Sequence, residues 1–212
     1  MNQDSVIRHL IDRYPELDAC LPDIQRMLET VSSCYRGGGK LLLCGNGGSA
    51  ADSDHIVGEL MKGFMSKRPL SSEERGEFAA MFPEDGPYLA GHLQGALPAI
   101  SLTSAVALTS AYANDVAADM VYAQQVFGYG RPGDALIGIS TSGNSPNVIR
   151  ALQTAKVRGL ATIGLTGRDG GRMAEICDVT VRVPRDSTPD IQERHLPIYH
   201  AVCMWLEKEF FG

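Results

Sequence analysis

Residues 41–63 read LLLCGNGGSAADSDHIVGELMKG, and the rest of the chain is organised around this stretch. Residues 41–44 are a short apolar run without alternation, the pattern of a strand buried on both faces of a parallel sheet. Gly45-Asn46-Gly47-Gly48-Ser49 then turns the chain. Glycines in such a turn permit positive φ and leave no Cβ to hold off a ligand. A helix opening near Ser49 aims its free N–H groups and the positive end of its dipole into the same space, which suits a phosphate or the oxygens of a sugar. His55 and Glu59 follow four residues apart, so both project from one face of that helix. Taken alone, the pair reads as a solvated helix face. Gly45-x-Gly47-x-x-Ala50 also fits a loose dinucleotide fingerprint, so a nicotinamide or flavin enzyme stays open at this point, whereas the absence of GxxxxGK[ST] argues against a P-loop nucleotide hydrolase.

Composition narrows the classes. At 212 residues the chain is long enough for one well-buried α/β domain with flanking helices and too short for two full-sized enzyme domains. It is 44% hydrophobic and 21% charged, ordinary globular usage. A formal net charge of −6 gives no general attraction to nucleic acid or anionic lipid. No apolar run reaches bilayer length, and the opening MNQDSVIRHL is polar, so neither a membrane protein nor a secreted one is expected and a cytoplasmic location is. Cysteines 20, 34, 44, 177 and 203 form no CxxC pair, consistent with reduced thiols.

Read in order, residues 5–34 carry two stripes of helical spacing separated by Pro15 and Pro22, which predicts an N-terminal helical arm over 1–36, either meeting another subunit or covering its own sheet. Residues 64–96 cluster charges at Lys67, Arg68, Glu73, Glu74, Arg75 and Glu77 and lack an apolar period, which predicts an inserted loop or lid with one short helix, bordering the site entrance. Further strands are expected at 97–102, 135–140, 161–166 and 179–183, alternating with helices at 106–112, 120–127, 146–158, 170–176 and 189–210. Alternation of this kind predicts a parallel sheet wound on both faces, with the ligand beyond the carboxyl ends of its strands. Ser140, Thr141, Ser142 and Ser145 crowd the turn ahead of the helix that Pro146 opens, a second anion site built of hydroxyls and N–H groups. On the last helix Gln192 and His200 are eight apart and share a face. His195 is read as structural.

CGNGGSAADSDHIVGEL at 44–60, Asn114-Asp115, ISTSGNSPNVIRAL at 139–152, TGRDGGRMAEICD at 166–178 and TPDIQERHLPIYH at 188–200 together resemble the phosphoheptose isomerase family, of the sugar isomerase (SIS) fold. The resemblance covers about residues 40–63 and 99–210. It implies one SIS domain over 1–212, α/β, a doubly wound, flavodoxin-like three-layer sandwich, and a ketose–aldose isomerase converting sedoheptulose 7-phosphate to glycero-manno-heptose 7-phosphate for heptose biosynthesis. It also implies a homotetramer with sites between subunits. Asn46, Gly47, Gly48, Glu59, Asn114, Asp115, Ser140, Thr141, Ser142, Ser145 and Gln192 match the family's substrate contacts; Glu59 and His200 match its catalytic pair. His55, Glu59, Gln192 and His200 match the family's zinc ligands, so zinc is the implied cofactor and no nucleotide is expected. Where the family has an arginine shortly after the glutamate, this chain reads Leu60-Met61-Lys62-Gly63-Phe64; Lys67 and Arg68 are the expected substitutes. The rival readings are a non-catalytic sugar-phosphate-binding regulator, a replication-initiation adaptor, or an isomerase of another phosphosugar.

Overall fold

Apolar runs of four to six residues can be satisfied only where both sheet faces are covered, and that is where the chain puts them. The computed structural model describes residues 3–212. Strands β1 (Leu41–Gly45), β2 (Ala99–Ser101), β3 (Ala135–Ile139), β4 (Ala161–Thr166) and β5 (Val179–Arg182) form one sheet in the order β2-β1-β3-β4-β5, parallel throughout. Alternate side chains enter opposite layers: Leu41 and Leu43 pack into one core and Leu42 and Cys44 into the other. Leu41, Leu42 and Leu43 are each 0% exposed, worth roughly 1.5–3 kcal/mol apiece in hydrophobic transfer.

Helices α1 (Gln3–Arg13), α2 (Leu21–Arg36), α3 (Gly48–Met61) and α10 (Thr188–Phe211) supply the first layer, and α7 (Val121–Tyr129) and α8 (Pro146–Val157) the second. The N-terminal helices take the covering role: Ile24, Met27, Leu28 and Val31 of α2 are buried in the same core as Leu41, Ala135 and Ile163. At Gly138 a Cβ would stand 2.9 Å from Val148 Cγ1, so this glycine lets α8 settle close to β3.

Residues 64–96 are not the loop that the charge cluster suggested. They hold two helices, α4 (Ser72–Met81) and α5 (Gly86–His92). Helix α4 opens on a capping box: Ser71 Oγ accepts from Glu74 N at 3.2 Å, and Glu74 Oε2 accepts from Ser71 N at 2.8 Å. Two orphan donors of the first turn are thereby satisfied, which starts a helix that buries no residue of its own. The two ends of the segment meet, Pro69 bridging to Gln94 and Gly95 N donating to Arg68 O at 2.7 Å, so the excursion stands on a closed stem.

Among the described residues no helix is long and apolar enough to cross a membrane. All five cysteines are unpaired.

Candidate active site

After β1 the chain crosses to β2 on one side and returns to β3 on the other, so β1 and β3 are the neighbours at which the winding reverses. A crevice opens at the carboxyl ends of strands at such a point, and both turns singled out in the sequence border it. Gly47 has φ +56°, a conformation that favours glycine, and it delivers the chain into α3. Across the crevice Asn46 and Asn147 bond reciprocally, Nδ2 to Oδ1 at 2.9 and 2.8 Å. Tyr122 Oη donates to Gly45 O at 2.6 Å. Ser140 and Ser145 hydroxyls lie 3.0 Å apart, and Ser142 Oγ accepts from Asn144 N at 3.2 Å. A cleft of about 300 Å³ opens beside this second turn, lined by Thr141, Ser142, Asn144, Gly167, Arg168 and Arg185.

Helix α10 crosses over these turns. A Cβ on Gly48 would lie 2.6 Å from Gln192 Nε2, so Gln192 rests directly on the glycine turn. Two turns further along, His200 meets the flank of α3, its ring centroid 5.1 Å from that of His55 and 5.4 Å from that of Phe64. His55 Nε2 lies 3.3 Å from Glu59 Oε1, while Glu59 Oε2 takes Lys62 Nζ at 3.1 Å. Burial, with the neighbouring His55 adding to it and Glu59 opposing, holds the His200 imidazole below its ordinary pKa, so it is neutral near pH 7. Its Nε2 is buried with no hydrogen-bond partner. Asn114 and Asp115 lie elsewhere, exposed on a π-turn (Ala113–Ala117), with Asn114 Nδ2 donating to Asp115 Oδ1 at 2.8 Å. Among the described residues no hydrogen bond joins them to the histidine cluster.

Gln192 thus rests on the glycine turn, while Glu59 and the paired histidines form a second cluster further along α3 and α10. A SIS domain model matches residues 79–167. A phosphoheptose isomerase from Rhodospirillum rubrum is 37% identical over 196 residues, covering 92% of this chain and 90% of its own. The chain belongs to the phosphoheptose isomerase family. The solved phosphoheptose isomerase of Neisseria gonorrhoeae superposes with a TM-score of 0.72 at 33% identity, covering 97% of this chain and 98% of its own. The Vibrio vulnificus NanR protein complexed with ManNAc-6P, 14% identical with a TM-score of 0.58, shares the fold alone.

In this phosphoheptose isomerase family member the stand-ins expected for the missing arginine behave differently. Arg68 is 1% exposed and faces inward: Nε pairs with Glu207 Oε1 at 2.9 Å, and the two terminal nitrogens donate to Leu60 O and Glu59 O at 2.7 and 3.0 Å. It therefore closes the C-terminal end of α3. Lys67 is exposed, and the cation that reaches Glu59 is Lys62. Phe64, at the stem of the segment, is the residue that borders His200. Sequence reasoning passed over Lys62, Asn147, Asp52 and Tyr199. For Lys62 and Asp52 there was a signal, since each lies three residues from Glu59 or His55 on one helix face. Asn147 and Tyr199 reach the site across the fold.

His195 is structural, as its sequence context indicated. It is 0% exposed with Nε2 3.2 Å from Thr166 O, and burial pushes its imidazole down to about 4. An unfolded chain takes up a proton near pH 6.5, which the folded chain refuses until about pH 4. Stability is therefore full above that window and falls by about 3 kcal/mol as pH drops through it. Urea unfolding at pH 7 and pH 4.5 should show this loss in the native chain and a smaller one in His195→Gln. Equal losses in both would remove His195 as the cause.

Proposed function

We propose that this chain interconverts sedoheptulose 7-phosphate and glycero-manno-heptose 7-phosphate by enediol proton transfer, in heptose biosynthesis. The observation that carries the reading is the cluster of Glu59, His55 and a neutral His200 whose Nε2 has no hydrogen-bond partner, in a chain whose β1 and β3 both run into anion-seeking turns. Moving a carbonyl from C2 to C1 requires a base for the C1 hydrogen, a group to move the hydroxyl proton, and donors for the oxygens. In the proposed assignment Glu59 takes the C1 proton, leaving the enediol, and returns a proton to C2. His200, uncharged, carries the hydroxyl proton from O1 to O2. Ser140, Thr141, Ser142 and Ser145 hold the phosphate with the N-terminus of α8, and Asn46, Gly47, Gly48 and Gln192 orient the sugar oxygens; Asn114 and Asp115 are assigned to substrate arriving from a neighbouring subunit's side.

Zinc is the proposed cofactor. His55, Glu59, Gln192 and His200 offer the nitrogen and oxygen donors that zinc accepts, and the orphaned His200 Nε2 suits a ligand. Among the described residues no group of three or more His, Cys, Asp or Glu is arranged to hold a metal ion, so zinc is proposed from the chemistry of the donor set. Bound zinc would polarise the substrate's oxygens. A homotetramer with sites between subunits is proposed from the family and from apolar side chains left in water, Val106 at 76%, Val116 at 64% and Phe127 at 58% exposed; sedimentation measures it. A cytoplasmic setting accords with unpaired cysteines.

The test is aldose formation from sedoheptulose 7-phosphate and from a panel of other phosphorylated ketoses, with metal content measured before and after chelation. Sedoheptulose 7-phosphate should be turned over fastest. Sugar-phosphate binding without turnover would instead favour the non-catalytic regulator. Undiminished activity in verified metal-free protein would leave zinc no catalytic part.

A further inference from the structure

Tyr199 packs against both site histidines, its ring edge-on to His55 at 5.5 Å and to His200 at 5.1 Å between centroids. Its hydroxyl donates to Asp52 Oδ1 at 3.0 Å and lies 3.1 Å from His55 Nδ1. A phenol has one hydrogen, and a carboxylate can only accept. With that hydrogen committed to Asp52, the phenolic oxygen can meet His55 only as an acceptor, so Nδ1 must carry the imidazole's proton. In the neutral ring Nε2 then has a bare lone pair, and it points at Glu59 Oε1, another acceptor, 3.3 Å away. Two acceptors at this distance repel one another and are held together by nothing but packing unless something electropositive comes between them.

We propose that Asp52 and Tyr199 are positioning residues that lock His55 as its Nδ1–H tautomer and so present Nε2 and Glu59 as a paired acceptor for an electropositive guest, the zinc ion of the preceding reading. Outer partners of a metal-binding histidine commonly act this way, and their loss weakens metal binding about 10–100-fold. Asp52 is half-buried, held there between α3 and α10, and Tyr199 is 1% exposed; Tyr199→Phe removes the hydroxyl and keeps the ring's packing.

The experiment is nitrogen NMR of metal-free, histidine-labelled protein above the histidine titration range, with His55 assigned by difference from His55→Gln. The native protein should show His55 protonated at Nδ1 and bare at Nε2. Tyr199→Phe should lose that preference and bind zinc about tenfold or more weakly. Asp52→Asn should do the same, because an amide can donate to the phenol and free its hydrogen for Nδ1. A native His55 protonated at Nε2, or an unchanged tautomer in Tyr199→Phe, would overturn the proposal. The tautomer is read without substrate, so its outcome is separable from whether sedoheptulose 7-phosphate is the substrate.

Discussion

Glu59→Gln is expected to lower kcat for sedoheptulose 7-phosphate by about 10²–10⁴, the range for removing a positioned general base, while leaving the protein at least as stable as the native chain. The substitution keeps the side chain's volume, so core packing is undisturbed. It gives up the 3.1 Å contact with Lys62, an ion pair whose lysine is largely in water and which contributes little. In exchange the new amide can donate to His55 Nε2, which now faces a second acceptor at 3.3 Å. Loss of turnover with retained or raised stability would separate a chemical role from a structural one. KM should change less than kcat, because the turns that hold the phosphate are untouched. Near-normal kcat in Glu59→Gln would remove Glu59 as the base.

Arg68→Ala is expected to destabilise the fold by about 3–5 kcal/mol, the cost of leaving one member of a buried ion pair alone. Glu207 is 3% exposed and also accepts from the backbone N–H groups of Phe64, Met65 and Ser66 at 2.8, 2.8 and 3.1 Å. Burial raises the Glu207 pKa, but the Phe64 and Met65 N–H groups together with Arg68 hold the carboxylate below its usual value, so loss of Arg68 leaves it buried with only its backbone donors. The carbonyls of Glu59 and Leu60 lose their donors as well. Arg68→Lys should rescue only part of the loss, since one ammonium cannot reproduce the fork that reaches a carboxylate and two carbonyls together. Denaturant unfolding measures both variants; a loss under about 1 kcal/mol for Arg68→Ala would mean that the pair is dispensable.

Both predictions concern the same short length of chain, and they divide the two kinds of information in it. The sequence by itself determined what depends on neighbours in the chain. Unbroken apolar runs mark the strands of a two-sided sheet, Gly47 marks a turn with positive φ, Pro146 marks a helix start, and four-residue spacing puts His55 and Glu59 on one face. The class of fold was legible on those grounds, whereas the catalytic assignment of Glu59 and His200 came from the family resemblance, since spacing alone made His55 and Glu59 a solvated helix face. Residues 64–96 were misread although Ser71 and Glu74 carry a capping box, because a helix that buries nothing shows no apolar period and its charges look like a loop. Tertiary structure alone decided the rest. It matched Arg68 to Glu207 and Asn46 to Asn147, 139 and 101 residues apart, and it placed Tyr199 between Asp52 and His55. Such pairs are set by where helices land on the sheet, and a side chain that points into the core or into the site has the same name in either place.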